Sequence, residues 1–433
     1  MQMEHTIEIK KIITGGLGLG YLPDGMVAMV PFCLPGETVL CREKKRYSGH
    51  IELKSVTIIT PSQTRIKPPC PLYGNCGGCD LQHAAYPAQL DIKFNILKES
   101  LQRAGLGLDD GIVRTALPSP SQFGYRNQLR MHLSPDGSLG FHRQSSNTVI
   151  PVDACPVAGA PINQALKRLH ESALLPSLAH HCAVLEILQS PADERITIVL
   201  HLRDGKNLAN TLIKRLEQLN GSHTFLIKSG RLLQQPAPGH NQSDLSQELQ
   251  CGRHTCLLSW DAGCFFQANS GQNRQLVSLV CSLAGDVHDR QLLDLYCGMG
   301  NFSIPLALNG ARITGIEHNQ ASVFRAIRNA AAAGLSCTFT AAKVENILGK
   351  FNKTGKKFDT ILVDPPRQGI GRAGNLLPRL SAEQIIYISC DPATLARDLV
   401  GISANGYHVS TIIPVDMFPQ THHIESVALL EKN

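Results

Sequence analysis

One stretch narrows the possible folds of this chain more than any other. Residues 291–301, QLLDLYCGMGN, read as a short buried strand that runs into a Gly-x-Gly turn and then a helix. Further apolar strands follow: 312–317 ending in Glu317, 358–364 ending in Asp364, and 385–388 running to Cys390. After Cys390, Asp391 is placed to cap a helix that opens with Pro392. Strands that alternate with helices predict an α/β, Rossmann-like domain, whose ligands bind at the carboxyl edge of the sheet.

The residue types at that edge suit a nucleotide-like cofactor. Glycine lets the backbone approach a ligand closely, and a helix N-terminus aims its amides at it. Glu317 is placed to accept hydrogen bonds from ribose hydroxyls. An NAD-binding domain is the competing reading, but its fingerprint requires a third glycine where Ser303 stands. Asp294, Gly298, Gly300 and Glu317 favour S-adenosylmethionine instead. Asp364, which opens DPPR, can touch cofactor or substrate. Cys390, at a strand-to-helix junction, is a candidate nucleophile, and the competing reading is a buried structural thiol. Glu425, in QTHHIESVALLEK, precedes another apolar strand and could face the same pocket; otherwise it is a surface charge, with His422 and His423 plain polar residues.

The first sixty residues differ. Short strands at 6–12, 26–32 and 37–42, with GGLGLG (15–20) as a turn or bulge, predict an OB-like β-barrel of the kind that presents a basic face to RNA. No Lys-Ser/Thr follows GGLGLG, which excludes a P-loop. The run Arg42, Glu43, Lys44, Lys45, Arg46 is either a phosphate contact or a solvated hairpin tip. Net charge is +6, and through residue 69 nine Lys/Arg face six Asp/Glu, so half of the excess sits in the first sixth of the chain.

Beyond a proline-rich boundary, Cys70, Cys76 and Cys79 follow C-x5-C-x2-C among Gly74, Gly77 and Gly78. Glycines allow the tight turns by which thiolates converge on one centre, so the pattern predicts metal or iron-sulfur ligation, with Cys155 as the candidate fourth ligand. Spacing does not separate zinc from a cluster. The other cysteines read as structural and reduced, in keeping with an intracellular chain. In the middle segment, residues 89–103 predict an amphipathic helix with Leu90, Phe94, Leu97 and Leu101 on one face. Strands at 125–133 and 140–149 carry Arg126, Arg130, His142 and Arg143 as a candidate RNA-facing surface, and 234–244 reads as a polar loop. No secretory signal or apolar run long enough for a membrane span is present, so a soluble, cytoplasmic protein with no membrane contact and no obligate protein partner is expected. The expected division is 1–62, 63–262 and 263–433.

Taken together, DLYCGMGNFS, DPPRQG, YISCDPATLARDL and HIESVALL resemble the RNA 5-methyluridine methyltransferase family. The barrel-like start and C-x5-C-x2-C are similar to its bacterial 23S rRNA uracil-C5 branch, which carries a TRAM domain and a 4Fe-4S cluster. The resemblance implies Cys390 as nucleophile and Glu425 as base. It implies Gln267, Tyr296, Asn301, Glu317 and Asp364, beside Gly298, as S-adenosylmethionine contacts, and Cys70, Cys76, Cys79 and Cys155 as ligands of a 4Fe-4S cluster in a central α+β domain. RNA, most of all 23S rRNA, is the implied partner; tRNA and a non-catalytic RNA-binding assembly role are the alternatives. The family usually has Asn where Asp391 stands, and the added negative charge should raise the thiol pKa.

Overall fold

The computed structural model describes residues 3–107, 109, 111–219, 223–230, 232–234 and 244–433. Its N-terminal strands, β1 (Glu4–Glu8), β2 (Lys11–Ile13), β3 (Leu17–Tyr21), β4 (Val27–Pro31), β5 (Thr38–Arg46) and β6 (His50–Thr60), form one six-stranded sheet. The order is β1-β5-β6-β4-β3-β2, with β4 and β6 parallel. GGLGLG is not simply a turn: only Gly15 and Gly16 turn, with φ of +93° and +70°, and the rest enters β3. A side chain at Gly20 would collide with Ile7 and the Glu8 carbonyl, so glycine is needed there for close approach of strands. Arg42, Glu43, Lys44, Lys45 and Arg46 form the mostly exposed end of β5 that runs into the 47–49 turn of the β5–β6 hairpin, and Glu4 and Glu52 pair with Arg42 and Lys44 across the sheet.

Helix α1 (Tyr86–Arg103) begins with a proline in its first turn and bridges two cores. Ile92 and Ile96 complete the core of the N-terminal sheet, whereas Leu97 and Leu101 pack into that of the C-terminal sheet. The buried face therefore runs through Gln89, Ile92, Lys93, Ile96, Leu97 and Leu101, and the expected Leu90 and Phe94 are only half-buried. That face contains a fully buried lysine, and a purely apolar pattern misplaces the stripe.

The middle sheet is built from β7 (Gln128–Leu133), β8 (Leu139–His142), β9 (Val149–Pro151), β10 (Cys182–Gln189), β11 (Ile196–Leu202), β12 (His223–Ser229) and β13 (Leu232–Gln234). Its order is β13-β12-β11-β10-β7-β8-β9. Helix α2 (Ala160–Glu171) and the short α3 (Leu175–Ala179) bury Ile162, Leu166 and Leu178 against it, and α4 (Asn210–Gln218) adds Leu212 and Leu216. The polar loop expected at 234–244 falls almost wholly outside the described residues.

A hairpin, β14 (Leu245–Cys251) and β15 (His254–Trp260), precedes the predicted boundary at 263, yet Leu249, Cys256 and Leu258 pack with α5 (Ser270–Ala284) in the C-terminal core. Cys251 and Cys281, read from sequence as separate reduced thiols, are joined as a disulfide between this hairpin and α5. The C-terminal sheet then follows the predicted alternation: β16 (Gln291–Leu295), α6 (Ser303–Leu308), β17 (Arg312–Glu317), α7 (Gln320–Ala332), β18 (Thr338–Ala341), α8 (Val344–Thr354), β19 (Thr360–Val363), β20 (Gln384–Ser389), α9 (Pro392–Ser403), β21 (Tyr407–Val415) and β22 (Glu425–Lys432). The order is β18-β17-β16-β19-β20-β22-β21, parallel except for β22, which runs antiparallel between β20 and β21. No helix among the described residues is long and apolar enough to cross a membrane.

Candidate active site

At the carboxyl end of β16 the chain turns at Tyr296, a non-glycine residue held at φ +64°, whose N–H donates to the Ile316 carbonyl at 2.8 Å. Gly298 and Gly300 continue the turn at φ +54° and +93°. Gly298 N–H donates to Glu317 Oε2 at 3.2 Å, and Asn319 N–H donates to Glu317 Oε1 at 2.6 Å, which fixes the carboxylate at the end of β17 against the glycine turn. Asn301 and Asn273 exchange amide hydrogen bonds at 2.9 and 3.0 Å, clamping α5 to the turn. Gln267 is buried between β15 and α5, whose first turn is capped by Asn269 through the Gln272 N–H.

The charge at this edge is unbalanced. Burial pushes Asp364 up to about 7, and the neighbouring Glu317 pushes the same way. Burial also pushes Asp294 up to about 7, against the hydrogen bond from Ser303, with Asp364 and Glu317 adding to the rise. Three carboxylates around one turn suit a ligand that carries positive charge, because a cation favours their ionised forms.

The neighbouring strands supply the reactive pair. Ser389 of β20 is in register with Ser426 of β22, so Cys390 and Glu425 stand side by side where those strands leave and enter the sheet. Cys390 is half-buried and Glu425 is buried. Burial, then Asp364, raises the Glu425 carboxyl well above its ordinary range, and Arg367 pulls the other way. The Cys390 thiol is pushed up to about 11 by burial and then by Glu425, while Arg367 lowers it. The Asp391 carboxylate accepts from the Thr394 N–H at 2.8 Å and caps α9. The DPPR loop is fastened from below by Asp398, which accepts from Tyr387 at 2.6 Å and from the Ile370 N–H at 2.9 Å.

Away from this edge, Cys70, Cys76, Cys79 and Cys155 line one cavity of about 200 Å³ together with Arg126 and Arg130. Burial pushes Cys79 up to about 12 and raises Cys76 and Cys155 as well, so these thiols favour the neutral state unless something cationic occupies the cavity. Among the described residues no three His, Cys, Asp or Glu side chains converge tightly enough to hold a single metal ion.

The family model described as tRNA (Uracil-5-)-methyltransferase matches residues 86–433. The chain belongs to this family. A 23S rRNA (uracil(1939)-C(5))-methyltransferase RlmD of Shewanella sp. strain MR-4 is 32% identical over 429 residues, covering 94% of this chain and 91% of the relative. The protein of the same name from Pseudomonas aeruginosa PAO1 is 32% identical and covers 99% of this chain and 94% of its own length. Among solved structures, the Pyrococcus abyssi tRNA (uracil-54, C5)-methyltransferase in complex with S-adenosyl-L-homocysteine superposes with a TM-score of 0.77 at 26% identity, over 98% of this chain and 99% of that one.

Within this uracil-5-methyltransferase family member, the predicted residues fall into two places. Cys390, Glu425, Asp364, Glu317, Gly298 and Tyr296 share the sheet edge, and the four cysteines share the separate cavity. Sequence reasoning missed Lys93, fully buried on α1 and ion-paired with Asp416, and Arg367, whose charge acts on both Cys390 and Glu425. Lys93 lies four residues after Gln89 and four before Leu97, so a periodicity count admitting polar residues would have flagged it. Arg367 stood in the quoted DPPR without a role.

Proposed function

We propose that this chain methylates C5 of a uridine in 23S rRNA, using S-adenosylmethionine and a covalent adduct between Cys390 and uracil C6. The adjacency of Cys390 and Glu425, beside the carboxylate-lined turn, carries the reading. S-adenosylmethionine, bound against Gly298, Glu317 and Asp364 with Gln267, Tyr296 and Asn301 around it, supplies a methyl group on cationic sulfur. Uracil C5 is a weak nucleophile, so the Cys390 thiolate adds to C6 and the C5–C6 π electrons pass toward C5 and O4. C5 then takes the methyl group, and the electrons of the broken S–C bond stay on sulfur. Glu425 accepts the C5 proton, the C5–C6 double bond re-forms, and Cys390 leaves as thiolate. Glu425 takes that proton as a carboxylate: burial raises its proton affinity, and Arg367 favours the ionised form.

A uridine within folded RNA must be turned out of its stack to reach Cys390, at a cost of a few kcal/mol. We take residues 1–62 as a TRAM-like, OB-like RNA-binding barrel. In support, Lys45 sits 4.6 Å from the Tyr47 ring centroid, and Tyr47 stacks on His50 at 4.4 Å, giving an exposed platform for phosphate and base. The central unit runs from residue 63 to the β14–β15 hairpin, which goes with the catalytic core, and in it Cys70, Cys76, Cys79 and Cys155 would hold a 4Fe-4S cluster as thiolates. The cluster would tie the cysteine loop to the middle sheet, and no step of methyl transfer passes through it. Residues 263–433 carry the catalysis, in the cytoplasm with the RNA.

The names of the Shewanella and Pseudomonas relatives favour 23S rRNA. The Pyrococcus structure, with a tRNA enzyme's title, supports tRNA as a second reading. Anaerobically purified protein, labelled S-adenosylmethionine and unmodified 23S rRNA or bulk tRNA separate the two. Label in 5-methyluridine from 23S rRNA alone is expected, label from tRNA alone would overturn the substrate, and label in neither would overturn the activity.

A further inference from the structure

Between β21 and β22, residues 416–424 lead up to Glu425 in no regular element, and side chains from far away in sequence hold them. Asp416 accepts from Tyr86 Oη at 2.8 Å and pairs with Lys93, whose ammonium also donates to the Phe418 carbonyl at 2.9 Å. The Met417 carbonyl accepts from Asn269 at 3.1 Å, and that of Pro419 from Tyr125 at 2.9 Å. Gln89 brackets Gln420, accepting its N–H at 2.9 Å and donating to its side-chain oxygen at 3.0 Å.

A further restraint comes from Asp80, the residue directly after Cys79. The N–H groups of Asp80 and Leu81 donate to the Gln420 carbonyl at 3.1 and 3.0 Å. The Asp80 carboxylate spends both oxygens on His422: Oδ1 accepts the His422 N–H at 2.7 Å, and Oδ2 meets the ring Nδ1. The turn at Gly16 of the N-terminal sheet lies against the same carboxylate. Gln420 sits at φ +71°, a left-handed conformation that costs a non-glycine residue of order 1–3 kcal/mol and persists only where surroundings impose it. Three residues beyond His422, Glu425 enters β22 opposite Val415.

We propose that Asp80 is a positioning residue for Glu425: from the cysteine-rich loop it pins Gln420 and His422, and thereby sets where the Glu425 carboxylate stands relative to Cys390. The inference rests on the assignment of Cys390 as nucleophile and Glu425 as base. Without the Asp80 carboxylate, the segment loses the His422 anchor while the backbone N–H groups of residues 80 and 81 and the Gln89 side chain still hold Gln420, so the stretch from His422 to Glu425 shifts while Cys390, held by β20 and α9, does not. Adduct formation and methyl transfer then continue, and removal of the C5 proton slows. Because a displacement near 1 Å costs about a hundredfold in rate, turnover should fall by about that factor.

The test compares wild type with Asp80→Ala, Asp80→Asn, His422→Ala and Glu425→Gln, on a 23S rRNA transcript with methyl-labelled S-adenosylmethionine. Three quantities are read: kcat, KM for S-adenosylmethionine, and the amount of methyl-labelled protein–RNA complex that survives denaturation. Asp80→Ala and His422→Ala are expected to lower kcat about a hundredfold, to leave KM within about threefold, and to accumulate labelled complex as Glu425→Gln does, with Asp80→Asn partly restored. Iron content reports any loss at the neighbouring cysteines, and His422→Ala, remote from them in sequence, decides if Asp80→Ala loses iron or fails to fold. Labelled complex in Glu425→Gln but in neither Asp80→Ala nor His422→Ala overturns the positioning role. No complex in Glu425→Gln overturns the base assignment itself.

Discussion

Replacing Glu425 with glutamine should change the reactivity of a cysteine that the mutation does not touch. The Cys390 thiol is pushed up to about 11, against an ordinary value of 9.0, by burial first and by Glu425 second. Two units leave about a hundredfold less thiolate at pH 8 than an ordinary thiol carries, and only the thiolate is alkylated. Iodoacetamide should therefore label Cys390 about a hundred times more slowly at pH 8 than an unperturbed thiol peptide, with a rate that climbs tenfold per pH unit toward pH 11. Glu425 opposes the thiolate only when it is itself ionised, and burial keeps it protonated well above the usual carboxylate range. Glu425→Gln should thus alkylate faster than wild type wherever the wild-type carboxylate is ionised, with the gap opening as pH rises. Peptide mass spectrometry reads Cys390 separately from the other thirteen cysteines. Alkylation at ordinary thiol rates in wild type, or a variant slower than wild type at high pH, would refute the electrostatic account.

Three further outcomes follow from the same geometry. Lys93→Met strands the buried Asp416 carboxylate with Tyr86 alone and should cost about 3–5 kcal/mol in urea denaturation, most of it recovered in the Lys93→Met/Asp416→Asn double variant. Asp364 holds its proton up to about 7 in the fold but only to about 3.9 when unfolded, so the native state binds more protons between those values and its contribution to stability falls as pH rises through that window. Asp364→Asn should flatten that fall and melt higher than wild type at pH 8 without cofactor, while weakening S-adenosylmethionine binding in calorimetry. Asp391→Asn keeps a good cap for α9, so methyl transfer should stay within about twofold of wild type.

The C-terminal half was legible because strong local signals agreed there. β-branched strands ended in glycine, acid or cysteine, and Asp391 with Pro392 announced α9, which starts where the pattern placed it. The pairing of Cys390 with Glu425 was not in the spacing. Thirty-five residues separate them in sequence, and they meet because β22 inserts antiparallel beside β20. GGLGLG was misread in part because glycine signals both turns and close strand approach, and only the packing of Ile7 against Gly20 distinguishes them. The anchoring of residues 416–424 was invisible, since Gln89 and Gln420 are 331 residues apart and nothing in either segment is patterned for the other. Lys93 escaped because a buried cation runs against burial preference until its partner is known.

The most direct test of the central claim uses 23S rRNA transcribed with 5-fluorouridine, whose fluorine at C5 blocks the final proton removal. With S-adenosylmethionine present, digestion and mass spectrometry should find a methylated fluorouridine attached to the peptide that carries Cys390, and nothing attached in Cys390→Ala. An adduct on another cysteine, or methyl transfer to natural RNA by Cys390→Ala, would contradict the account.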